Sequence, residues 1–165
     1  MSPRFAVLSH SLMAASLEPG PEMRARADGH RRFAWTCLAL FVALGIGLEA
    51  LHGFKVEFYV SAANETRRLM WRLAHAHGTL LALVNLAYAS AYESRPVARS
   101  GLVAMKVAAL GLPLGFFAGG IVVHGGDPGL GILLVPPAEF ALLWGVVMMA
   151  AAWWRREDAS GDRDL

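Results

Sequence analysis

Four long apolar stretches separated by short polar punctuation run through the chain, over 33–51, 71–92, 101–123 and 130–154. Crossing the hydrocarbon core of a bilayer takes about 20 mostly apolar residues, and each stretch approaches or exceeds that length. Backbone amides and carbonyls in lipid have no water to bond, so a spanning segment must satisfy them internally, as a helix. The pattern predicts an all-α integral membrane protein, a bundle of four transmembrane helices in one domain over 33–154. It leaves a disordered or interfacial tail over 1–32 and a charged, solvated, disordered tail over 155–165.

Composition agrees with that reading. Of the 165 residues 56% are hydrophobic and 17% charged, and the mean hydropathy of +0.44 is too high for an ordinary soluble domain. The first residues complicate the start of the chain: Arg4 followed by the short apolar run 5–17 has the outline of a signal peptide without a cleavage site, and Glu18-Pro19-Gly20-Pro21 breaks it. Met23, followed by Arg24, Arg26, Arg31 and Arg32, is a more typical membrane-protein start, so residues before about Asp28 are expected to be disordered or to belong to an over-extended reading frame.

Charge then sets the orientation. The arginines before the first stretch, together with Arg95, Arg99, Arg155 and Arg156, fall on the side holding both termini. Lys55, Arg67, Arg68 and Arg72 fall on the other side, offset by Glu57 and Glu65. By the positive-inside bias both termini lie in the cytoplasm. In a bacterium the chain is then a multi-pass protein of the inner membrane, with its far side toward the periplasm. The basic balance is explained by these flanking residues, with no nucleic-acid signature. Cys37, the single cysteine, cannot form an internal disulfide.

On that topology the ionisable residues are unevenly distributed. Glu49 and His52 close the first stretch, His75 and His77 open the second, His124 closes the third and Glu139 lies early in the fourth, all toward the outer side. The cytoplasmic half of the same helices is expected to hold no histidine. Histidines from several helices facing a bundle core are how haem, copper, iron and zinc sites are built. Glu49, His52, His75, His124 and Glu139 are therefore candidate metal ligands, and His52, His75, His77 and His124 candidate cofactor ligands. Each also has a structural explanation. Glu49 and His52 share a face at a spacing used once here and twice in di-iron bundles, and Glu49 could instead orient an imidazole. His124 fits a helix C-terminus before the turn-forming run 125–129, where it meets the dipole. Glu139 follows Pro136-Pro137 in a restarted helix. Gly111, Gly115 and Gly119 form a smooth strip for a close helix contact, within the chain or between copies. Lys106 enters from the cytoplasmic end as a snorkelling residue. Asn64 is a candidate cap for the second helix, and the connection over 53–70, with Val56, Phe58, Tyr59 and Val60, is expected to lie at the interface over the outer face of the cluster.

His75 and His77 are about 200° apart on a helix, so both cannot point at one centre. The face of His75 continues through Gly78, Thr79, Ala82 and Leu86, mostly small residues suited to a tight interior and a close cofactor. The face of His77 continues through bulkier Leu81, Val84 and Tyr88. Helical geometry favours His75 for the interior.

The segment His75-Ala76-His77-Gly78-Thr79-Leu80-Leu81 resembles the second-helix His-Gly-x-Leu/Met region of haem-copper oxidase subunit I. It is also similar to the His-x-His stretch opening the second helix of small four-span bacterial membrane proteins likened to that subunit. The resemblance implies a haem b, with His77 as the ligand, where helical geometry favours His75; both stay open. The chain has neither the many helices nor the copper ligands of that subunit, so oxygen reduction is not implied. The expected function is an integral membrane protein holding a haem b or a transition metal in the outer half of the bilayer, for electron transfer or small-molecule redox chemistry with a redox protein or a second copy as partner. The alternative is a non-enzymatic protein whose His/Glu cluster conducts protons or metal ions or binds a partner.

Overall fold

The computed structural model describes residues 20–161, with side chains through Arg155. The signal-like stretch and the alternative start concern residues up to 19 in whole or in part, and that portion, like the last four residues of the C-terminal tail, lies outside the described residues. Described residues are almost entirely helical: α1 (Pro21–Gly53), the short α2 (Glu57–Val60), α3 (Glu65–Ser94), α4 (Arg99–Gly119) and α5 (Val135–Gly161), with 3-10 turns at Ala62–Asn64 and Leu130–Leu134. Three segments, Pro21–Gly53, Arg99–Gly119 and Leu130–Arg155, are long and apolar enough to cross a membrane. α3 is as long as a span, 30 residues, but His75, His77, Thr79 and Asn85 lower its apolarity.

α1 begins well before the first apolar stretch. Pro21 occupies its first turn, where a fixed φ and a missing N–H cost nothing, and Glu22 meets the dipole there. Arg26 pairs with Glu22 at 3.6 Å, while Arg31 bonds Asp28 at 2.6 Å and Glu93, at the end of α3, at 2.9 Å. Residues 21–32, expected as tail, are therefore helical and docked on α3. Hydropathy marks where the apolar run begins, whereas these polar ties extend the helix beyond it. α5 likewise continues to Gly161, into the expected C-terminal tail.

The long helices form a row rather than a closed square. α1 packs on α3, α3 on α4 and α4 on α5; among the described residues α1 and α5 make no close backbone approach. α3 is thus central, and its buried Asn85, Tyr88 and Tyr92 face protein there. One core joins Leu81, Ala108, Ala109 and Leu112 to Val135 and Ala138, and another joins Ala27, Tyr88 and Tyr92 to Leu102 and Met105. The glycine strip of α4 serves an internal contact. A Cβ on Gly111 would collide with Ala138, and one on Gly115 with Val135, so these glycines let α5 approach closely.

At one end of the row, here the connection end, α2 folds back over α1 and α3. Lys55 takes a φ of 55° as the chain leaves α1, and buried Tyr59 then stacks on Trp71, which stacks on Phe117 of α4 at 5.3 Å between centroids. Trp71 Nε1 donates to Phe117 O, and Arg67 donates to Gly120 O, Phe58 O and Asn64 Oδ1. Asn64 sits at the N-cap of α3 but its side chain caps no amide; its oxygen is engaged by Arg67 instead. The opposite end, the termini end, carries the start of α1, the 95–98 connection and the end of α5.

Candidate functional site

α1 and α3 meet at their connection-end turns through two reciprocal fits. The ring of His75 fills the space left by Gly45, and the ring of Phe41 fills the space left by Gly78. The small face of α3, expected to suit a tight interior, is packed at Gly78 against Phe41. His75 is half-buried, and its Nδ1 lies 2.8 Å from Phe41 O. A carbonyl only accepts, so Nδ1 carries a proton, and in the neutral ring Nε2 holds the lone pair. That tautomer is the one a metal-ligating histidine adopts when a backbone carbonyl orients its ring.

Beside this contact lies a groove of about 500 Å³ lined by Gly45, Leu48, Glu49, His52, Gly53, Tyr59, Arg68, Arg72 and His75. Glu49 and His52 lie three residues apart on α1 and border it together, as their spacing requires. Arg68 is fixed by donating to Tyr59 O and Ser61 O, at 3.1 and 2.6 Å, so α2 both covers the groove and locks one of its cations. Arg72, one turn along α3, borders the same space. The groove thus combines two guanidiniums, one carboxylate and two imidazoles over an apolar wall. Glu49 makes no hydrogen bond to either imidazole among the described residues, so the structure does not show it orienting one.

The other expected members lie elsewhere. His77 points to α4: its ring sits 4.9 Å from that of Phe116, and its Nδ1 donates to Leu73 O at 2.9 Å. His124 does not end a helix, because α4 stops at Gly119. It lies in a tight turn where its backbone pairs with Asp127 and Gly125 and Gly126 take φ of 59° and 95°. It lines a separate cavity with Ile121, Val122 and Pro128. Glu139 is exposed on the first turns of α5, outside the groove. The six residues therefore split into Glu49, His52 and His75 together, with His77, His124 and Glu139 apart. Among the described residues no three His, Cys, Asp or Glu side chains come close enough to hold one metal ion.

A further histidine escaped the sequence reading. His30, at the termini end of α1, is fully buried, and neither ring nitrogen has a hydrogen-bond partner, so the expectation that this half of the helices is free of histidine is overturned. Its signal was present in the spacing: the buried face of α1 runs Ala27, His30, Ala34, Cys37, Phe41, Gly45 and Leu48, in steps of three and four. Asn85, equally buried on α3, is its neighbour. Asn85 Nδ2 donates to Leu81 O, while Oδ1 is unpartnered. No known family, curated protein or solved structure matches the chain significantly.

Proposed function

We propose that the chain is a four-span integral membrane protein that binds a haem b in the α1–α3 groove and serves one-electron transfer. α3 is the fourth span in this reading, made less apolar because both its neighbours cover it. In this reading the termini end, rich in basic residues, lies in the cytoplasm by the positive-inside bias, and the groove opens toward the outer face of a bacterial inner membrane.

The observation that carries the haem reading is His75: a half-buried imidazole whose Nδ1–H is committed to Phe41 O, leaving Nε2 as a lone-pair donor beside a groove. The residues present fit a haem better than a bare metal ion. Two arginines beside the same imidazoles oppose a dication, whereas guanidinium groups pair well with carboxylates such as propionates. The groove falls within the roughly 300–1,000 Å³ typical of cofactor sites. In this reading His75 and His52 would hold the haem, Arg68 and Arg72 would pair with its propionates, and Leu48 and Tyr59 would supply apolar wall. A bound haem supplies reversible one-electron exchange at iron. The fixed residues contribute ligand orientation through Phe41 O and neutralise the propionates through a locked Arg68. The resemblance to haem-copper oxidase subunit I pointed to His77, but that ring is packed on Phe116 away from the groove, and His75 takes its place.

Oxidised and dithionite-reduced optical spectra of the detergent-purified protein, expressed with haem available, test this reading. Wild type and His77→Ala are expected to show a Soret band with reduced alpha and beta bands, and His75→Ala to lose them. A well-folded wild type without those bands overturns the proposal and leaves the groove to proton or ion conduction.

A further inference from the structure

A second cavity, of about 350 Å³, lies at the termini end, remote from the groove, and is lined by Arg26, Gly29, His30, Arg99, Leu102, Val103 and Lys106. Three cations from two helices border it, and no carboxylate does. The positive-inside bias explains why arginines occur at this end, but it does not require them to converge on one concavity. Their existing partners are weak: Arg26 pairs with the largely exposed Glu22 at 3.6 Å, and Lys106 sits 5.4 Å from the centre of the Phe33 ring. Arg99 is the first residue of α4, whose N-cap Ala98 offers no side-chain acceptor to the free amides of the first turn, so the positive end of a 21-residue helix adds to the field.

The floor of the cavity is an imidazole. His30 is fully buried there with both ring nitrogens unpartnered. Its neighbour Asn85 offers an oxygen to the single N–H of a neutral imidazole, which leaves the other ring nitrogen an acceptor. The ligand that answers three cations with no carboxylate among them is an oxyanion with several acceptors. Leu102 and exposed Val103 form an apolar side beside the polar floor. That combination suits a phosphate carried on an acyl chain.

We propose that this cavity binds a phosphate group, presented by the headgroup of an anionic phospholipid in the leaflet at the termini end. Arg26 and Arg99 hold the phosphate oxygens as planar forks, Lys106 supplies a point charge from deeper along α4, and His30 closes the floor.

Native mass spectrometry of the full chain, released from detergent with phosphatidylglycerol, with phosphatidylcholine or with inorganic phosphate, tests the site. Wild type is expected to retain phosphatidylglycerol over phosphatidylcholine. Each cation removed should weaken that retention by about fivefold, the usual worth of one basic residue near an anionic surface. Arg26→Gln/Arg99→Gln should therefore lose most of it, while Arg155→Gln, outside the cavity, should lose none. Should the double variant fail to fold, Arg99→Gln alone, at an exposed position, carries the comparison. Phosphate adducts that disappear in Arg99→Gln, without lipid preference, support the site and assign it to free phosphate. Equal retention of both lipids with no phosphate adduct, or retention unchanged in Arg99→Gln, overturns the proposal.

Discussion

The imidazole of His75 occupies the volume that a side chain on Gly45 would need: a Cβ placed there would overlap the ring. The position of the candidate ligand is therefore set by the absence of atoms on the opposing helix. Gly45→Val is expected to push His75 off Phe41 O, to cost about 1–3 kcal/mol as an overpacked contact, and to abolish haem absorbance in the proposed reading. Gly47→Ala, where a Cβ meets nothing, should keep the spectrum and raise the unfolding temperature slightly, since alanine is the better helix former by about 0.5–1 kcal/mol. Thermal unfolding in detergent and the optical spectrum, read on both variants, check this pair.

Phe41 and Gly78 form the second half of the same contact, and their effects should not add. Gly78→Ala places a methyl group against the Phe41 ring, whereas Phe41→Ala opens a cavity costing about 3–5 kcal/mol. The double variant should be more stable than the sum of the two single losses implies, because each change relieves the other. A double-mutant cycle measured by denaturation in detergent reads the coupling; additivity within error would mean the rings and glycines do not oppose one another as described.

Trp71 links three elements, stacking on Tyr59 of α2 and Phe117 of α4 while donating to the backbone of the latter. Trp71→Ala should cost about 3 kcal/mol and release α2, raising hydrogen exchange over 56–62 well above that of α5. Trp71→Phe, which keeps most of the stacking and loses the donor, should fall between the two.

Buried polar groups without partners destabilise, and removing both members of such a pair is nearly neutral or favourable. His30→Phe/Asn85→Leu is accordingly expected to leave the unfolding temperature unchanged or raised, even as it removes the floor of the anion cavity. A large fall in unfolding temperature would mean that the two groups are satisfied by one another.

Glu139 faces outward from the first turns of α5. Glu139→Gln should leave the optical spectrum unchanged, where Arg68→Gln, which frees the groove rim from Tyr59 O and Ser61 O, should weaken cofactor retention. Loss of the spectrum in Glu139→Gln would place a ligand outside the groove.

The number and order of the long helices were legible in the sequence because apolar runs and glycine or proline breaks are local signals. Their ends were less so. Pro21 and the Arg31–Glu93 pair extend α1 beyond its apolar run, and the positive φ of Gly125 and Gly126 places His124 in a turn. The grouping of Glu49 and His52 could be read from their spacing on one helix face, and His75 joins them because α2 brings α3 back beside α1. His77, His124 and Glu139 could not be excluded from sequence, since a helix periodicity fixes relative angles but not which face meets a neighbour. His30 was overlooked because hydropathy set the helix boundary after it, though the spacing of small residues already continued through it.

The row arrangement of the helices has a consequence for biosynthesis. Every side chain lining the groove lies between Gly45 and His75, so its walls have all been translated before Arg99 leaves the ribosome. Chains of this kind fold from the N-terminus as they are made, and α4 and α5 arrive afterwards on the far side of α3. The anion cavity, by contrast, needs residues of α1 and α4 together and is complete only once the third long helix has docked. The two ends of the molecule are thus assembled at different times, the groove first and the anion cavity after it.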